Sequence, residues 1–208
     1  MDCNFTDFFE SVFAKKELDF ARPTHFQLGI FDEPYGTTQE PWDKPLGQEE
    51  VFKLFQQVNL YLSPRGTFVY FLPWHRLPLV MAEVTRAGLV VRGLCVWAKR
   101  NPPPAPPTNY YGPGESGREF FLVIGKSGGT PVWREAKQPA GTAPHMNHAM
   151  GVGIVYFSIP KKAMQKGQKP HGLIEWLIRW YVETQLRLKP FFTSCGRCPS
   201  MGTCFFGG

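Results

Sequence analysis

Phe26-Gln27-Leu28-Gly29-Ile30-Phe31-Asp32-Glu33-Pro34-Tyr35-Gly36-Thr37-Thr38 is the stretch on which the reading of this chain turns. Leu28, Ile30 and Phe31 form an apolar run without polar alternation, the pattern of a strand covered on both faces. Asp32, Pro34 and Gly36 end the run, so the chain leaves its strand at a carboxylate and turns past an aromatic ring, Tyr35. In open α/β sheets, ligands sit at the carboxyl ends of such strands. Read from these letters alone, an ordinary strand exit with a solvated aspartate is the alternative.

The neighbouring segments extend the α/β pattern. Val51, Leu54, Phe55, Val58 and Leu62 predict a helix over 48–62 with one buried face. Ser63-Pro64-Arg65-Gly66 is expected to stop it, and 67–72 reads as a second buried strand closed by Pro73. Strand, helix, strand in this order implies a right-handed parallel crossover. A helix over 77–87 tolerates Pro78 in its first turn, and 89–97 gives a third strand. The proline- and glycine-rich stretch 101–117 reads as a loop or linker, extended over 102–107. Strands are expected over 119–125 and 152–159, and a helix over 173–184 with Leu173, Ile174, Leu177, Ile178 and Tyr181 on one stripe, widened by Trp176 and Trp180. No internal repeat is visible.

With 208 residues, 43% hydrophobic and 15% aromatic, the chain can bury one good core and is not a disordered tail. Its formal charge of +6 favours polyanionic partners, because clustered Lys and Arg release counterions from a phosphate backbone. The cysteines, Cys3, Cys95, Cys195, Cys198 and Cys204, are odd in number, and the N-terminus lacks a signal-peptide layout. The expectation is a soluble intracellular protein of cytoplasm or nucleus. No apolar run approaches the roughly 20 residues that span a bilayer.

Together these segments resemble the amino-methyltransferases of DNA, which methylate exocyclic amines of adenine or cytosine. The family signature Asp/Asn/Ser-Pro-Pro-Tyr/Phe/Trp is matched by Asp32-Glu33-Pro34-Tyr35, followed by Gly36-Thr37-Thr38 and Trp42-Asp43-Lys44-Pro45-Leu46. Leu62-Ser63-Pro64-Arg65-Gly66-Thr67, Val96-Trp97-Ala98-Lys99 and Arg118-Glu119-Phe120-Phe121-Leu122-Val123 resemble later family segments. The resemblance implies a Rossmann-like S-adenosylmethionine-dependent methyltransferase fold, α/β with a mostly parallel sheet, incomplete at the C-terminus. It implies one domain in permuted order: a catalytic half over 1–125, a candidate target-recognition region over 126–165 and a partial cofactor-binding half over 166–208. It also implies S-adenosyl-L-methionine as cofactor and DNA as partner, with adenine ahead of cytosine because aspartate accompanies adenine more often in the family.

The chemistry asked of the tetrad has its own physical reason. An exocyclic amine conjugated to a base ring is a poor nucleophile, and acceptors on its hydrogens favour the pyramidal form that attacks a methyl group. Asp32 supplies one acceptor and the backbone carbonyl of Glu33 the other, while Tyr35 stacks on a flipped base. In the candidate recognition region, Arg134, Lys137, His145, Asn147 and His148 are available to phosphates or bases.

The chain departs from the family pattern in two places. Glu33 replaces a proline, so the turn loses rigidity and gains a second carboxylate beside Asp32. The cofactor loop Asp-Pro-Phe-x-Gly-Ser-Gly has as its best-spaced counterpart Lys189-Pro190-Phe191-Phe192-Thr193-Ser194-Cys195-Gly196, with Thr193 and Cys195 where glycines are expected. A second candidate is Cys198-Pro199-Ser200-Met201-Gly202-Thr203-Cys204. The cofactor residues implied are Lys169, Pro170, Phe191, Phe192, Thr193, Ser194 and Gly196. The rival reading is a catalytically inactive, nucleic-acid-binding relative or a gene fragment; methylation of RNA or protein nitrogen is a third. No metal site is expected, since Cys195, Cys198 and Cys204 lack a fourth ligand nearby. His75, in Trp74-His75-Arg76, reads as an ordinary polar residue after a strand.

Overall fold

A computed structural model of the chain describes residues 25–36, 43–101, 117–129, 145–147, 152–159, 169–181, 189–194 and 202–207. The strands are β1 (Phe26–Asp32), β2 (Leu62–Leu72), β3 (Leu89–Lys99), β4 (Arg118–Lys126), β5 (His145–Asn147), β6 (Val152–Phe157), β7 (Lys189–Ser194) and β8 (Gly202–Gly207). The helices are α1 (Gln48–Tyr61), α2 (Leu77–Arg86) and α3 (His171–Tyr181), with a single 3-10 turn at Trp74–Arg76. All eight strands join one sheet in the order β5-β6-β3-β4-β2-β1-β8-β7.

Alternation along the strands sends side chains to two cores. Phe31, Phe68, Tyr70, Leu72, Leu122 and Ile124 pack with Val51, Leu54, Phe55 and Val58 of α1 and Val80 and Val84 of α2. Leu28, Ile30, Val69, Phe71, Phe121 and Val123 face the other way, onto Leu173, Trp176, Leu177 and Trp180 of α3. The sheet is therefore the middle layer of an α/β sandwich, which is why its central strands read as continuous apolar runs. Phe26 joins the first core although Leu28, two residues on, joins the second. A register shift between them accounts for the change of face. A Cβ at Gly29 would lie 2.6 Å from the Phe68 ring, so β1 can approach β2 only with glycine there.

The expected crossover is present: β1 and β2 are parallel neighbours around α1, with Asp32 opposite Phe71. The mostly parallel sheet is not. Parallel pairing is confined to β1/β2 and β3/β6, whereas β4 runs antiparallel between β2 and β3. The hairpin β7–β8 is antiparallel, as is β8 against β1, and β5 against β6. The reason is that β4 enters beside two strands already running the same way, so the second crossover skips a position.

Boundaries also move. The segment Ser63-Pro64-Arg65-Gly66 does not form a separate turn; α1 ends at Tyr61, β2 begins at Leu62, and these residues form an irregularity in its register with β1. Residues 189–194 form strand β7, not a loop, at the sheet edge with β8 between them and β1. Most of the expected loop over 101–117, namely 102–116, lies outside the described residues. Among those residues, no helix is long and apolar enough to cross a membrane.

Candidate active site

Asp32 closes β1 at the carboxyl edge of the sheet, and the tetrad lies directly beyond it. The Glu33 N–H extends the ladder by donating to Phe71 O at 3.2 Å. Pro34 is buried, and Tyr35 and Gly36 donate their N–H groups to one oxygen of Asp43, at 2.9 and 3.0 Å. Gly36 has φ +68°, and a Cβ there would lie 2.7 Å from Pro45 Cγ. Position 36 therefore demands glycine for both conformation and space. The four residues assigned from sequence thus stand together, in a turn held from outside by Asp43.

Three further charges converge on Asp32. Lys99 ends β3, and Glu119 stands near the start of the antiparallel β4, which places both at the same sheet edge. Lys169 precedes α3. Its Nζ lies 2.7 Å from Asp32 Oδ1, 2.8 Å from Oδ2 and 3.0 Å from Glu119 Oε2. Lys99 Nζ is 2.7 Å from Glu119 Oε1, and the Tyr35 hydroxyl donates to Glu119 Oε2 at 3.1 Å. Two carboxylates and two ammonium groups thus balance in a place where the Lys169 side chain is only 8% exposed.

The balance sets the protonation states. Burial, with the charge of Glu119 adding to it, raises the Asp32 carboxyl above its usual range, and Lys169 opposes the shift. Burial also acts to raise Glu119, but Lys169 and Lys99 outweigh it and hold that carboxyl below the ordinary value. For Lys169, burial lowers the ammonium while Asp32 and Glu119 more than compensate, so it stays charged. Burial first, then Asp32 and Glu119, keeps Tyr35 a neutral hydroxyl.

A second pair lies on the other side of the turn. The Glu33 side chain is inaccessible and pairs with Arg76 Nη2 at 2.5 Å, which also donates to Leu46 O at 2.6 Å. Burial raises the Glu33 carboxyl and Arg76 counters it.

Of the implied cofactor residues whose side chains are described, Lys169 comes to Asp32. Pro170 is buried, and its carbonyl accepts from Leu173 and Ile174 at the start of α3. Phe191, Phe192, Thr193 and Ser194 lie in β7, and Gly196 is outside the described residues. Of the recognition candidates, His145 and Asn147 lie in edge strand β5; Arg134, Lys137 and His148 lie outside. His75 is exposed. Glu119, Lys99, Asp43 and Arg76 carry much of the geometry, yet their roles were missed in the sequence. The available signal was a charge at the end of an otherwise apolar strand, for Lys99 and Glu119.

The site already accommodates a cation: Lys169 Nζ lies 5.0 Å from the Tyr35 ring and 5.2 Å from that of Phe71, between two carboxylates. Acidic and aromatic groups so placed fit a sulfonium as well as an ammonium. Among the described residues no group of His, Cys, Asp and Glu forms a metal site.

No protein-family model and no curated protein matches the chain. Solved structures do. One reported as the M1.HpyAVI–SAM complex is similar with a TM-score of 0.56 and 18% identity, over 88% of this chain and 76% of that one. M1.HpyAVI alone gives 0.55 and 16%, over 88% and 75%. The PvuII DNA methyltransferase, named cytosine-N4-specific, gives 0.53 and 16%, over 76% and 64%. At such identities the likeness shows the fold alone, a Rossmann-like α/β architecture shared with these structures.

Proposed function

We propose that the chain transfers a methyl group from S-adenosylmethionine to an exocyclic amine of a DNA base, adenine ahead of cytosine. The observation that carries this reading is Asp32, held at the carboxyl end of a buried strand at the head of the Asp32-Glu33-Pro34-Tyr35 turn. The shared fold supports it, since the similar structures include one named for its SAM complex and one named a DNA methyltransferase.

The cofactor, when bound, supplies an electrophilic methyl group on a sulfonium. Asp32 accepts one hydrogen of the amine and the carbonyl of Glu33 the other, which favours the pyramidal nitrogen whose lone pair attacks. Tyr35 offers its ring to the base, its hydroxyl tethered to Glu119. Lys169 opposes the burial that raises the Asp32 carboxyl, and its hold on both carboxylate oxygens means that an incoming amine must take one of them from it. Tyr35, Phe71 and Glu119, beside Lys169, are the groups here that suit the cofactor's positive charge.

Calorimetry with S-adenosylmethionine and transfer of labelled methyl to DNA test the reading together. Binding of the cofactor, methyl incorporation, and N6-methyladenine in the digested product are expected. Asp32→Ala should abolish transfer with cofactor affinity nearly unchanged, and retained transfer would refute its assigned role. DNA binding with no cofactor heat at millimolar ligand would replace the enzyme by a non-catalytic nucleic-acid-binding relative.

A further inference from the structure

Glu33 contributes to the proposed reaction only through its main-chain carbonyl, yet its carboxylate is sealed inside the protein. A buried carboxylate is costly unless paired, so its retention beside the turn calls for a reason. The following Pro34 restricts ψ at Glu33, but nothing in a glutamate fixes φ. That freedom is removed from outside. Arg76 Nη2 grips Glu33 Oε1 at 2.5 Å and Leu46 O at 2.6 Å, while the Glu33 N–H is tied to Phe71 O at 3.2 Å. Leu46 belongs to the segment whose Asp43 holds the Tyr35 and Gly36 N–H groups. Arg76 itself sits in the single turn that follows β2, the strand paired with β1. Three chain segments therefore meet at one guanidinium, and all three border the catalytic turn.

We propose that Arg76 is a positioning residue: by holding the Glu33 carboxylate against Leu46 O, it fixes the peptide after Glu33 so that its carbonyl stands as the second acceptor beside Asp32. The planar fork of arginine suits this task, because one nitrogen can serve two oxygens in a fixed geometry. The ion pair does by side-chain contact what a proline ring at position 33 would do by covalent restraint, with the N–H to Phe71 O kept as well. This assignment rests on the methyl-transfer reading, since only there does the direction of that carbonyl matter to the rate.

Three variants of the full chain decide it: Arg76→Met, Glu33→Gln, and the two combined. Arg76→Met strands a buried carboxylate and lowers the melting temperature; the double variant removes both charges and recovers most of that loss. For a positioning residue, the double variant regains stability without regaining rate. Its kcat for methyl transfer stays low, by up to about 10²-fold, the scale of a small misplacement of a reacting group, while KM for the cofactor holds. Amide hydrogen exchange at Tyr35 and Gly36 stays accelerated relative to β2 and β4. Recovery of kcat and of exchange protection together with stability would overturn the assignment, as would unchanged exchange at the turn in all three variants. Should the wild type transfer no methyl group, the proposed function falls, and hydrogen exchange alone then decides whether Arg76 holds the turn.

Discussion

Asp32 is asked to be ionised in a place that resists ionisation. Burial and the nearby Glu119 raise its pKa above the ordinary 3.8, with Lys169 pulling it back. Methyl transfer should therefore fail on the acid side at a pH higher than an exposed aspartate would give. In Glu119→Gln that acid limb should move to lower pH, because one like charge is gone and Lys169 is left to Asp32 alone; kcat/KM against pH checks it, and an upward move contradicts it. Glu119 itself has a folded pKa below the ordinary 4.5, so its stabilisation is complete above that value and is lost as pH falls through the folded one. Urea titration should show Glu119→Gln to be less stable than the parent at neutral pH, with the gap closing in acid. At Gly36, with φ +68° and Pro45 against the missing Cβ, Gly36→Ala should cost roughly 1–3 kcal/mol in thermal unfolding. Asp32 and Tyr35 were legible in the sequence because strand exit and turn chemistry are local. Glu119 and Lys99 were not. Their meeting depends on β3 pairing with β4, where Glu119 stands opposite Trp97, and short-range patterns carry no information about which strands pair.

At the scale of elements, the helices were easiest to read. The spacing over 48–62 gave α1 within a residue of its observed Gln48–Tyr61, since an apolar face that recurs at the helical period suits a helix and not a strand, whose faces alternate. Leu54 is buried at the centre of that face, so Leu54→Ala should destabilise by about 2–5 kcal/mol in urea unfolding, with little change in the m-value. Helix α3 begins earlier than its apolar stripe, at His171, because the Pro170 carbonyl accepts from the N–H groups of Leu173 and Ile174 in its first turn. The proline that marks the boundary also starts the helix. The segment 63–66 misled for the opposite reason: proline and glycine look like a turn, but here they ease a strand past a register irregularity beside Phe26. Residues 189–194, lacking the glycines of a ligand loop, took a strand instead, in keeping with Phe191, Phe192 and Thr193.

For the whole molecule, alternation of strands and helices fixed the α/β class; composition pointed to one good core, whereas strands covered on both faces divide it into two. The order of strands was not accessible in the same way. An antiparallel β4 can slot between parallel strands without leaving any mark in its own sequence. Asp32 meets Lys169 across 137 positions of chain, and Glu119 joins them by pairing with Lys169 and Lys99, so the four charges come together only when β1, β3, β4 and the approach to α3 have all found their places. Long loops close late. In stopped-flow refolding, burial of the α1 face should precede recovery of cofactor binding, and simultaneous recovery would contradict that order. The balanced cluster thereby ties correct strand pairing to charge: an arrangement that enclosed Asp32 without Lys169 would carry a penalty of roughly several kcal/mol, so the native order of strands is favoured by electrostatics as well as by packing.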